Sequence, residues 1–327
     1  MKYFNLKSHR LKKNLNVGII GYGIQGRACA MNLRDSGQNV YVYQIKDKNL
    51  KQLINDNFKN SSLKEIFTKC EIIIILVPDA SHKNIIEKIK NFSNRNNKIV
   101  ILPSGYTCTF ENIKNTKKIK FFLISPRYPG QVLRKNFLEK IPTLGFYGYL
   151  NKPIKSDKNK VLSIAKAWGM TNLFLTTMQE EAYIDLFIEN FLIPRIMGTI
   201  EQAYNTMSQS GIQKHIAMLE VYQSGEIIGL FNKGLRLGMF NSFHKHTSPT
   251  CQFAVSDKYK ILNNRLLNVS KSIFSEIKNK NFYKKLSREL SYNYKNKENF
   301  NQKKLQSQFT DTQIKLINFL NKNKINY

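Results

Sequence analysis

Short apolar runs and amphipathic segments alternate along the first half of the chain. The apolar runs predict strands over residues 17–20, 39–43, 71–77, 99–102, 121–125, 143–149 and 173–176. The segments between them predict helices, of which the clearest end at Gly37 or cover residues 50–69, 85–92 and 158–168. The almost continuously apolar run EIIIILV at 71–77 is typical of a strand buried on both faces. This alternation predicts an α/β fold, a doubly wound parallel sheet of the Rossmann type.

The strand pattern stops at Met178, and the rest of the chain predicts helices alone. These helices cover residues 179–208, 214–232 and 258–279, with shorter pieces after them. We expect His244 and His246 to lie in a loop, and the very polar segment 293–304 to be loosely held. The change of pattern predicts two domains, a Rossmann domain over residues 1–177 and an all-helical domain over residues 178–327.

Length and composition agree with a two-domain cytoplasmic enzyme. The 327 residues exceed the roughly 250–300 residues at which single cores stop growing. No apolar run approaches the roughly 18 residues of a membrane span, and the N-terminal segment lacks the apolar stretch of a secretory signal. Cys29, Cys70, Cys108 and Cys251 form no paired motif, so we expect reduced and mostly buried thiols.

The net charge of +30 points to nucleic acid as a partner, but the distribution of the charge argues against it. The lysines are spread along the whole chain together with abundant Asn, Ile, Phe and Tyr, the residues that an AT-rich genome tends to encode. No zinc-finger or RNA-binding motif accompanies them. We therefore expect neither a nucleic acid nor a membrane as partner.

Three glycines follow the first apolar run at the spacing G-x-G-x-x-G. In a dinucleotide-binding turn the first glycine permits the bend, the second lets a pyrophosphate approach, and the third lets helix and strand pack closely. The following helix offers free N–H groups to the phosphates. The alternative is a tight turn that binds nothing. The candidate cofactor-binding residues of the turn are Gly21, Tyr22, Gly23, Ile24, Gln25 and Gly26.

The residues after the second predicted strand bear on the choice of cofactor. An acidic residue there would hold the ribose 2′-hydroxyl of NAD, whereas cations suit the 2′-phosphate of NADP. Lys46 and Lys48 favour NADPH, although Asp47 lies between them. In parallel sheets ligands bind outside the carboxyl ends of the strands. Pro78, Ser104 and Arg127 each follow such an end, so we expect them to face one crevice.

Acidic residues are the informative ones in the helical half. Asp185 and Glu189 are four positions apart, on one helix face among apolar neighbours that imply burial. Buried carboxylates need cations, either lysine and arginine partners or Mg²⁺, which prefers oxygen ligands. Glu220 and Glu226, on a later helix, could complete such a site.

Several blocks in order resemble ketol-acid reductoisomerase over nearly the whole chain. They are IIGYGIQGRACAMNLRDSG, VPDASHKNII, SPRYPGQVLRKNF, IAKAWG and the helix IDLFIEN. The length suits the short form of that family, which has one knotted helical domain. The resemblance implies an enzyme that moves an alkyl group within a 2-acetolactate-type substrate with the help of two Mg²⁺ ions. NADPH then reduces the product to a 2,3-dihydroxy acid, in valine and isoleucine biosynthesis.

The resemblance also implies roles for particular residues. Asp185 resembles the carboxylate that bridges the two metals, Glu189 a ligand to one of them, and Glu220 the start of a second acidic pair. Ser248, in SPTCQFA, resembles a serine that touches substrate, if several residues are inserted around 240–247. Pro78, Asp79 and Gly130 join the cofactor-binding residues, and the helical domains are expected to pair in a dimer.

The chain departs from the family pattern at the catalytic positions. The family's His-Gly-Phe-Asn is here the run that starts at Ser104, and the family's Ala-Pro-Lys ends here at Arg127. Arginine stays charged but cannot cycle a proton as lysine can, and serine is a poor general base. The second Glu of the later pair falls at Ser224, which leaves Glu226 as the substitute.

Three hypotheses about function follow from these residues. The first is a reductoisomerase with an altered proton relay, in which Ser104 and Arg127 are the catalytic residues. The second is a metal-independent NADPH-dependent reductase of a 2-keto acid with the same fold. The third is a decayed paralogue that is not an enzyme and serves as a basic binding protein.

Overall fold

The computed structural model describes residues 2–45, 47–92 and 97–325, apart from the side chain of Arg265. Contacts divide the chain into two compact units, Met1–Ile184 and Asp185–Tyr327. None of the described helices combines the length and the apolar character that crossing a membrane requires.

The first unit is built on one sheet of eight strands. The strands are β1 (Tyr3–Asn5), β2 (Asn16–Ile20), β3 (Asn39–Tyr43), β4 (Ile72–Ile75), β5 (Lys98–Leu102), β6 (Ile119–Pro126), β7 (Leu144–Tyr149) and β8 (Asn172–Leu175). Their order across the sheet is β1-β8-β7-β6-β5-β4-β2-β3. The five strands from β3 to β6 are parallel neighbours, so the loops that leave β4, β5 and β6 lie at one edge. The doubly wound Rossmann-type sheet predicted from the sequence is confirmed, and β7 and β1 add antiparallel pairs to it.

Helices cover both faces of the sheet. They are α1 (Ile24–Asp35), α2 (Lys48–Asn55), α3 (Leu63–Lys69), α4 (His82–Phe92), α5 (Tyr106–Phe110), α6 (Gly130–Leu138) and α7 (Lys155–Trp168). Alternate side chains of each central strand enter two separate cores. Ile72 and Ile74 belong to one core and Ile73 and Ile75 to the other, all fully buried. A run of isoleucines is therefore stable here only because both faces are covered.

The second unit is helical, and α8 crosses from one unit to the other. Its helices are α8 (Met178–Phe187), α9 (Ile193–Gln209), α10 (Lys214–Met218), α11 (Glu226–Leu237), α12 (Met239–His246), α13 (Pro249–Lys278), α14 (Asn281–Ser291), α15 (Lys295–Leu305) and α16 (Gln308–Lys322). Two π-helical turns, Ile188–Leu192 and Leu219–Gln223, follow α8 and α10. The buried core cluster of this unit is small: Tyr204, Ala217, Met218, Val221, Leu316 and Leu320.

Several boundaries differ from those predicted. The helix expected over 50–69 is two helices, because Asn57 is left-handed at φ 62° and Ser62 caps the second helix. The helix expected over 214–232 is interrupted by a π-turn and by Gly225 at φ 75°. The short strand β1 was not predicted, because three residues are too few to show a period.

The last third of the chain is more helical than expected. The prediction of a loop at His244 and His246 is wrong, since both lie in the last turn of α12. The next helix begins at Pro249, nine residues before the predicted start, because Ser248 caps it. The polar segment 293–304, expected to be loosely held, forms most of α15. Helix α15 carries no buried residue, so apolar periodicity could not reveal it.

Candidate functional site

The glycine turn between β2 and α1 has the geometry of a dinucleotide cradle. Gly21 adopts φ 103°, and a Cβ at that position would lie 2.6 Å from Leu76 O. A Cβ on Gly26 would collide with Gly21 O, so α1 can approach the turn only with glycine there. A Cβ on Gly23, in contrast, meets no described heavy atom within 4 Å. Two glycines thus shape the turn, and the third leaves open space above it.

The loop after β6 is tied to this cradle. Gln25 Nε2 donates a 2.8 Å hydrogen bond to Tyr128 O, and a Cβ on Gly130 would collide with Ile24 O. Gln25 Oε1 is buried and has no hydrogen-bond partner among the described residues. An unsatisfied buried acceptor beside an open glycine is what a site that receives a hydrogen-bonding ligand needs, so these residues fit a dinucleotide.

Tyr22 has a structural part in the turn. Its side chain is 1% exposed, its hydroxyl donates to Asp56 Oδ2 at 2.9 Å, and its N–H donates to Gln44 Oε1 at 2.6 Å. Burial raises the pKa of the Tyr22 phenol, and the hydrogen bond to Asp56 raises it further. Arg27 completes this cluster by donating to both oxygens of Asp56. The buried Tyr22 side chain therefore stabilises the glycine turn through its hydrogen bond to Asp56.

The segment after β3 contains the exposed Lys48 and Asp47, whose carboxylate accepts hydrogen bonds from neighbouring residues. Lys48 is the first residue of α2 and is exposed, whereas Lys46 lies outside the described residues. Asp47 caps α2: its Oδ1 accepts from Asn49 N–H at 2.9 Å and from Gln44 Nε2 at 3.0 Å. The Asp47 carboxylate is thus engaged by protein groups at the position where an NAD-binding acid would stand.

A buried carboxylate joins the loops that leave β5 and β6. Glu181, on α8, is fully buried, and its Oε2 accepts from Gly105 N–H at 2.6 Å. Its Oε1 accepts from Ser125 Oγ at 2.8 Å and from Arg127 Nη2 at 3.0 Å. Arg127 also donates to Ser125 Oγ. Charge-assisted bonds of this kind are among the strongest in proteins, so Glu181 fixes both loops to α8.

The two predicted catalytic residues lie at this cluster, Arg127 within it and Ser104 next to Gly105. The Arg127 side chain is 32% exposed, and its guanidinium carbon lies 4.8 Å from the centre of the Phe146 ring. A Cβ on Gly105 would collide with Met178 O, so the turn after Ser104 lies directly on the start of α8. Ser104 is half-buried, and its Oγ accepts from Tyr106 N–H at 3.1 Å.

Sequence reasoning missed Glu181, although a signal for it exists. Glu181 lies four residues before Asp185, so the same helical spacing that linked Asp185 to Glu189 extends one turn back. The apolar neighbours of that helix indicated burial. That inference fits Glu181 and fails for Glu189, which is exposed in the described chain, while Asp185 is half-buried.

The predicted metal ligands lie in the second unit. Glu189 and Glu220 each lie on one of the π-turns, and Glu226 is the first residue of α11. Glu220 and Glu226 are exposed. Across residues 2–45, 47–92 and 97–325, no group of three or more His, Cys, Asp or Glu side chains is placed to hold a metal ion. Ser248 is exposed, and its Oγ accepts from Cys251 N–H as the cap of α13.

Comparison with known proteins identifies the family. Residues 11–173 match the family model for the acetohydroxy acid isomeroreductase NADPH-binding domain. Residues 178–320 match the family model for the ketol-acid reductoisomerase C-terminal domain. The chain belongs to the ketol-acid reductoisomerase family. The resemblance drawn from the sequence is therefore confirmed, and the NADPH-binding domain coincides with the glycine turn and the sheet.

Named reductoisomerases extend the match. The chain is 29% identical over 292 residues to a ketol-acid reductoisomerase (NADP(+)) of Helicobacter acinonychis, which covers 86% of each protein. A relative with the same name from Akkermansia muciniphila is 29% identical over 225 residues. Among solved structures, an NADH-preferring ketol-acid reductoisomerase from an uncultured archean matches with a TM-score of 0.84 and 19% identity, over 93% of this chain and 94% of that one. This reductoisomerase structure shows that the two folds correspond.

Proposed function

We propose that the protein is a catalytically active reductoisomerase of valine and isoleucine biosynthesis. It converts a 2-acetolactate-type substrate to a 2,3-dihydroxy acid with NADPH and Mg²⁺, in the cytoplasm. The observation that carries the proposal is the Glu181 cluster, which holds Arg127 directly and holds the turn after Ser104 through the Gly105 N–H. Both lie at the sheet edge where the glycine turn also lies. A decayed protein has no need to keep a buried charge paired so completely, because an apolar replacement would be less costly.

The proposed cofactor sites are the turn residues Gly21 to Gly26, Gly130, and Pro78 with Asp79 after β4. We favour NADPH over NADH for two reasons. Lys48 is free to approach a 2′-phosphate at the start of α2, and the oxygens of Asp47 are already engaged by Gln44 and Asn49. Bound NADPH supplies the hydride, and Gln25 Oε1 is available to accept a hydrogen bond from it.

The proposed Mg²⁺ ligands are Asp185, Glu189, Glu220 and Glu226. Their carboxylates are the hard oxygen donors that Mg²⁺ takes. Glu189 and Glu220 both lie on π-turns, a distortion that is frequent at functional sites. Since the described residues of one chain bring no three such groups together, we propose that a second copy of the chain completes the ligand set. Bound Mg²⁺ supplies Lewis-acid stabilisation of oxygens that become negative during alkyl migration.

Pairing of helical domains agrees with the surface of the second unit. Helix α13 has 30 residues, of which Ile277 is the buried one among those whose side chains are described. Phe253 on this helix is 71% exposed, and Leu235 on α11 is 87% exposed. Apolar surface on this scale is typical of an obligate interface. We therefore propose a homodimer through the domain that begins near residue 178, where the second family model also begins.

The proposed roles of the chain's own residues follow from their charges. An arginine guanidinium is a cation with several N–H donors and a poor proton-transfer group, so Arg127 holds substrate oxygens by hydrogen bonds. Ser104 Oγ can donate one hydrogen bond to the substrate while it accepts from Tyr106 N–H. Ser248 can contact the substrate by the same chemistry. A slow proton step is the expected consequence of these substitutions.

One assay separates this function from the metal-independent alternative. The purified protein is given 2-acetolactate or the already rearranged 2-keto acid, each with NADPH, and each with Mg²⁺ or with EDTA. We expect Mg²⁺-dependent oxidation of NADPH with 2-acetolactate. Turnover of the rearranged keto acid alone, insensitive to EDTA, would identify a simple reductase. No NADPH binding at all would leave the non-enzymatic paralogue.

A further inference from the structure

A second buried titratable side chain lies behind the candidate site. His82 is the first residue of α4 and is fully buried. Its Nε2 lies 2.9 Å from Val77 O, in the loop that leaves β4. Its Nδ1 lies 2.8 Å from Thr107 Oγ1, on the helix that follows Ser104 and Gly105. One imidazole thus contacts the exit loops of two neighbouring strands.

The hydrogen-bond partners determine the form of the ring. A carbonyl can only accept, so Nε2 carries the proton and donates it to Val77 O. Nδ1 then accepts the hydroxyl proton of Thr107, which is also fully buried. Burial lowers the pKa of His82 to about 4, which keeps the ring neutral at physiological pH. With both nitrogens occupied and the ring inaccessible to solvent, His82 cannot replace the missing family histidine as a proton carrier.

The His82 contacts continue the link made by Glu181. Glu181 fixes the loops after β5 and β6 to each other, through Gly105, Ser125 and Arg127. His82 fixes the loop after β4 to the loop after β5. The two side chains therefore join three adjacent exit loops, which carry Pro78 and Asp79, Ser104, and Arg127.

We infer that His82 is a positioning residue: through Thr107 it fixes the position of the cofactor-binding loop after β4 relative to the turn that carries Ser104. This inference rests on the proposed function for the roles of the two loops. It assigns His82 no contact with substrate or cofactor. Loss of the His82–Thr107 bond should loosen both loops together and weaken NADPH binding more than it weakens the fold, because a positioned site depends on small displacements.

Three variants test the inference. Thr107→Val keeps the shape of the side chain but leaves Nδ1 without its donor. His82→Gln can restore both bonds, because the amide N–H can donate to Val77 O and the amide oxygen can accept from Thr107. Ser163→Ala is the matched control. Ser163 is a fully buried hydroxyl on α7 that accepts from Lys12 N–H at 2.7 Å, and it touches neither loop.

Three measurements are made on each variant: hydrogen–deuterium exchange, NADPH affinity and steady-state kinetics. Hydrogen–deuterium exchange should become faster over residues 76–80 and 104–110 in Thr107→Val, and in neither segment in Ser163→Ala. The dissociation constant of NADPH, measured by fluorescence without substrate, should rise about tenfold in Thr107→Val. In His82→Gln it should stay within about threefold of the unaltered chain. The KM for NADPH should rise with the dissociation constant, while the KM for 2-acetolactate changes little.

Unchanged exchange in both segments of Thr107→Val would overturn the link between the loops. Faster exchange with unchanged NADPH affinity, or an equal loss of affinity in Ser163→Ala, would reduce His82 to a purely structural residue and would overturn the positioning role. Failure of the proposed function has a different signature, since it shows in the unaltered chain, which would then leave 2-acetolactate unconverted whether or not it binds NADPH, whereas the link between the loops is tested by exchange alone.

Discussion

Glu181 and Arg127 form an ion pair that links α8 to the loop after β6, with Glu181 Oε1 3.0 Å from Arg127 Nη2. The carboxylate is fully buried and the guanidinium is partly open to solvent. The protein thus holds the arginine through Glu181 and the Phe146 ring, while 32% of its side-chain surface stays exposed. Removal of Arg127 would take a cation away from a fully buried carboxylate, whereas removal of Glu181 would take an anion away from a partly exposed guanidinium.

Glu181→Gln should reduce both activity and stability. The amide keeps the volume and can accept from Gly105 N–H, but it removes the charge that holds Arg127. We expect kcat to fall by at least about tenfold and the free energy of unfolding to fall by about 1–3 kcal/mol. Steady-state kinetics and urea denaturation measure the two effects.

Glu180→Gln is the control on the same helix. Glu180 is exposed and caps α8, and hydrogen bonds from the Thr177 N–H and the Thr176 hydroxyl lower its pKa. Its substitution should cost about 0.5–1 kcal/mol of stability without any loss of kcat. A fall in kcat equal to that of Glu181→Gln would contradict the assigned role of the buried pair.

Restoring the family residues should speed the reaction. In the double variant Ser104→His, Arg127→Lys, a group that can transfer protons returns to each position, and the lysine can still pair with Glu181. We expect a rise in kcat with 2-acetolactate of about tenfold or more. The NADPH dissociation constant, which involves neither side chain, should not change. A lower kcat would show that this chain has adapted its chemistry around serine and arginine.

The glycine turn offers a pair of substitutions with opposite effects. Gly26→Ala should destabilise the protein by about 1–3 kcal/mol or more, because its Cβ collides with Gly21 O. Gly23→Ala should leave stability within about 0.5 kcal/mol, since its Cβ enters open space, but it should weaken NADPH binding at least about tenfold. Thermal unfolding and fluorescence titration separate the two. Unimpaired NADPH binding by Gly23→Ala would place the cofactor elsewhere.

His82 should make stability depend on pH in mildly acidic solution. Its pKa in the folded protein, about 4, lies below the ordinary value near 6.5, so the folded state disfavours the proton. Above pH 6.5, neutral His82 makes its full contribution of about 3 kcal/mol to the free energy of unfolding. This contribution is lost as the pH falls towards 4. Asp79 Oδ1, 3.5 Å from Nδ1, is the carboxylate that faces the ring and would ease its protonation.

The comparison with His82→Gln isolates that contribution. Glutamine does not titrate, so the unfolding free energy of the His82→Gln variant should fall less between pH 7 and pH 4 than that of the unaltered chain. Other carboxylates titrate in both proteins and cancel in the difference. Equal pH dependence would mean that His82 is not held neutral.

The sequence was sufficient for the sheet and for the turn, because both depend on local patterns. The isoleucine run of β4 and the glycine spacing require no long-range information. Glu181 was not identified, because its partners Gly105 and Arg127 are separated from it by 76 and 54 residues. The burial of Glu189 was predicted wrongly, because apolar neighbours indicate a buried helix face without saying what covers it. His82 gave no signal at all, since a neutral buried histidine has no periodic signature.

The second unit buries few apolar side chains for its size, and α13 is covered along almost none of its length. If the partner chain supplies the missing cover, folding of this unit and association of two chains are a single equilibrium. The midpoint of heat unfolding should then climb as the protein is concentrated and drop as it is diluted. At low protein concentration in the cell, the helical unit of such an enzyme would unfold before the unit with the nucleotide-binding sheet.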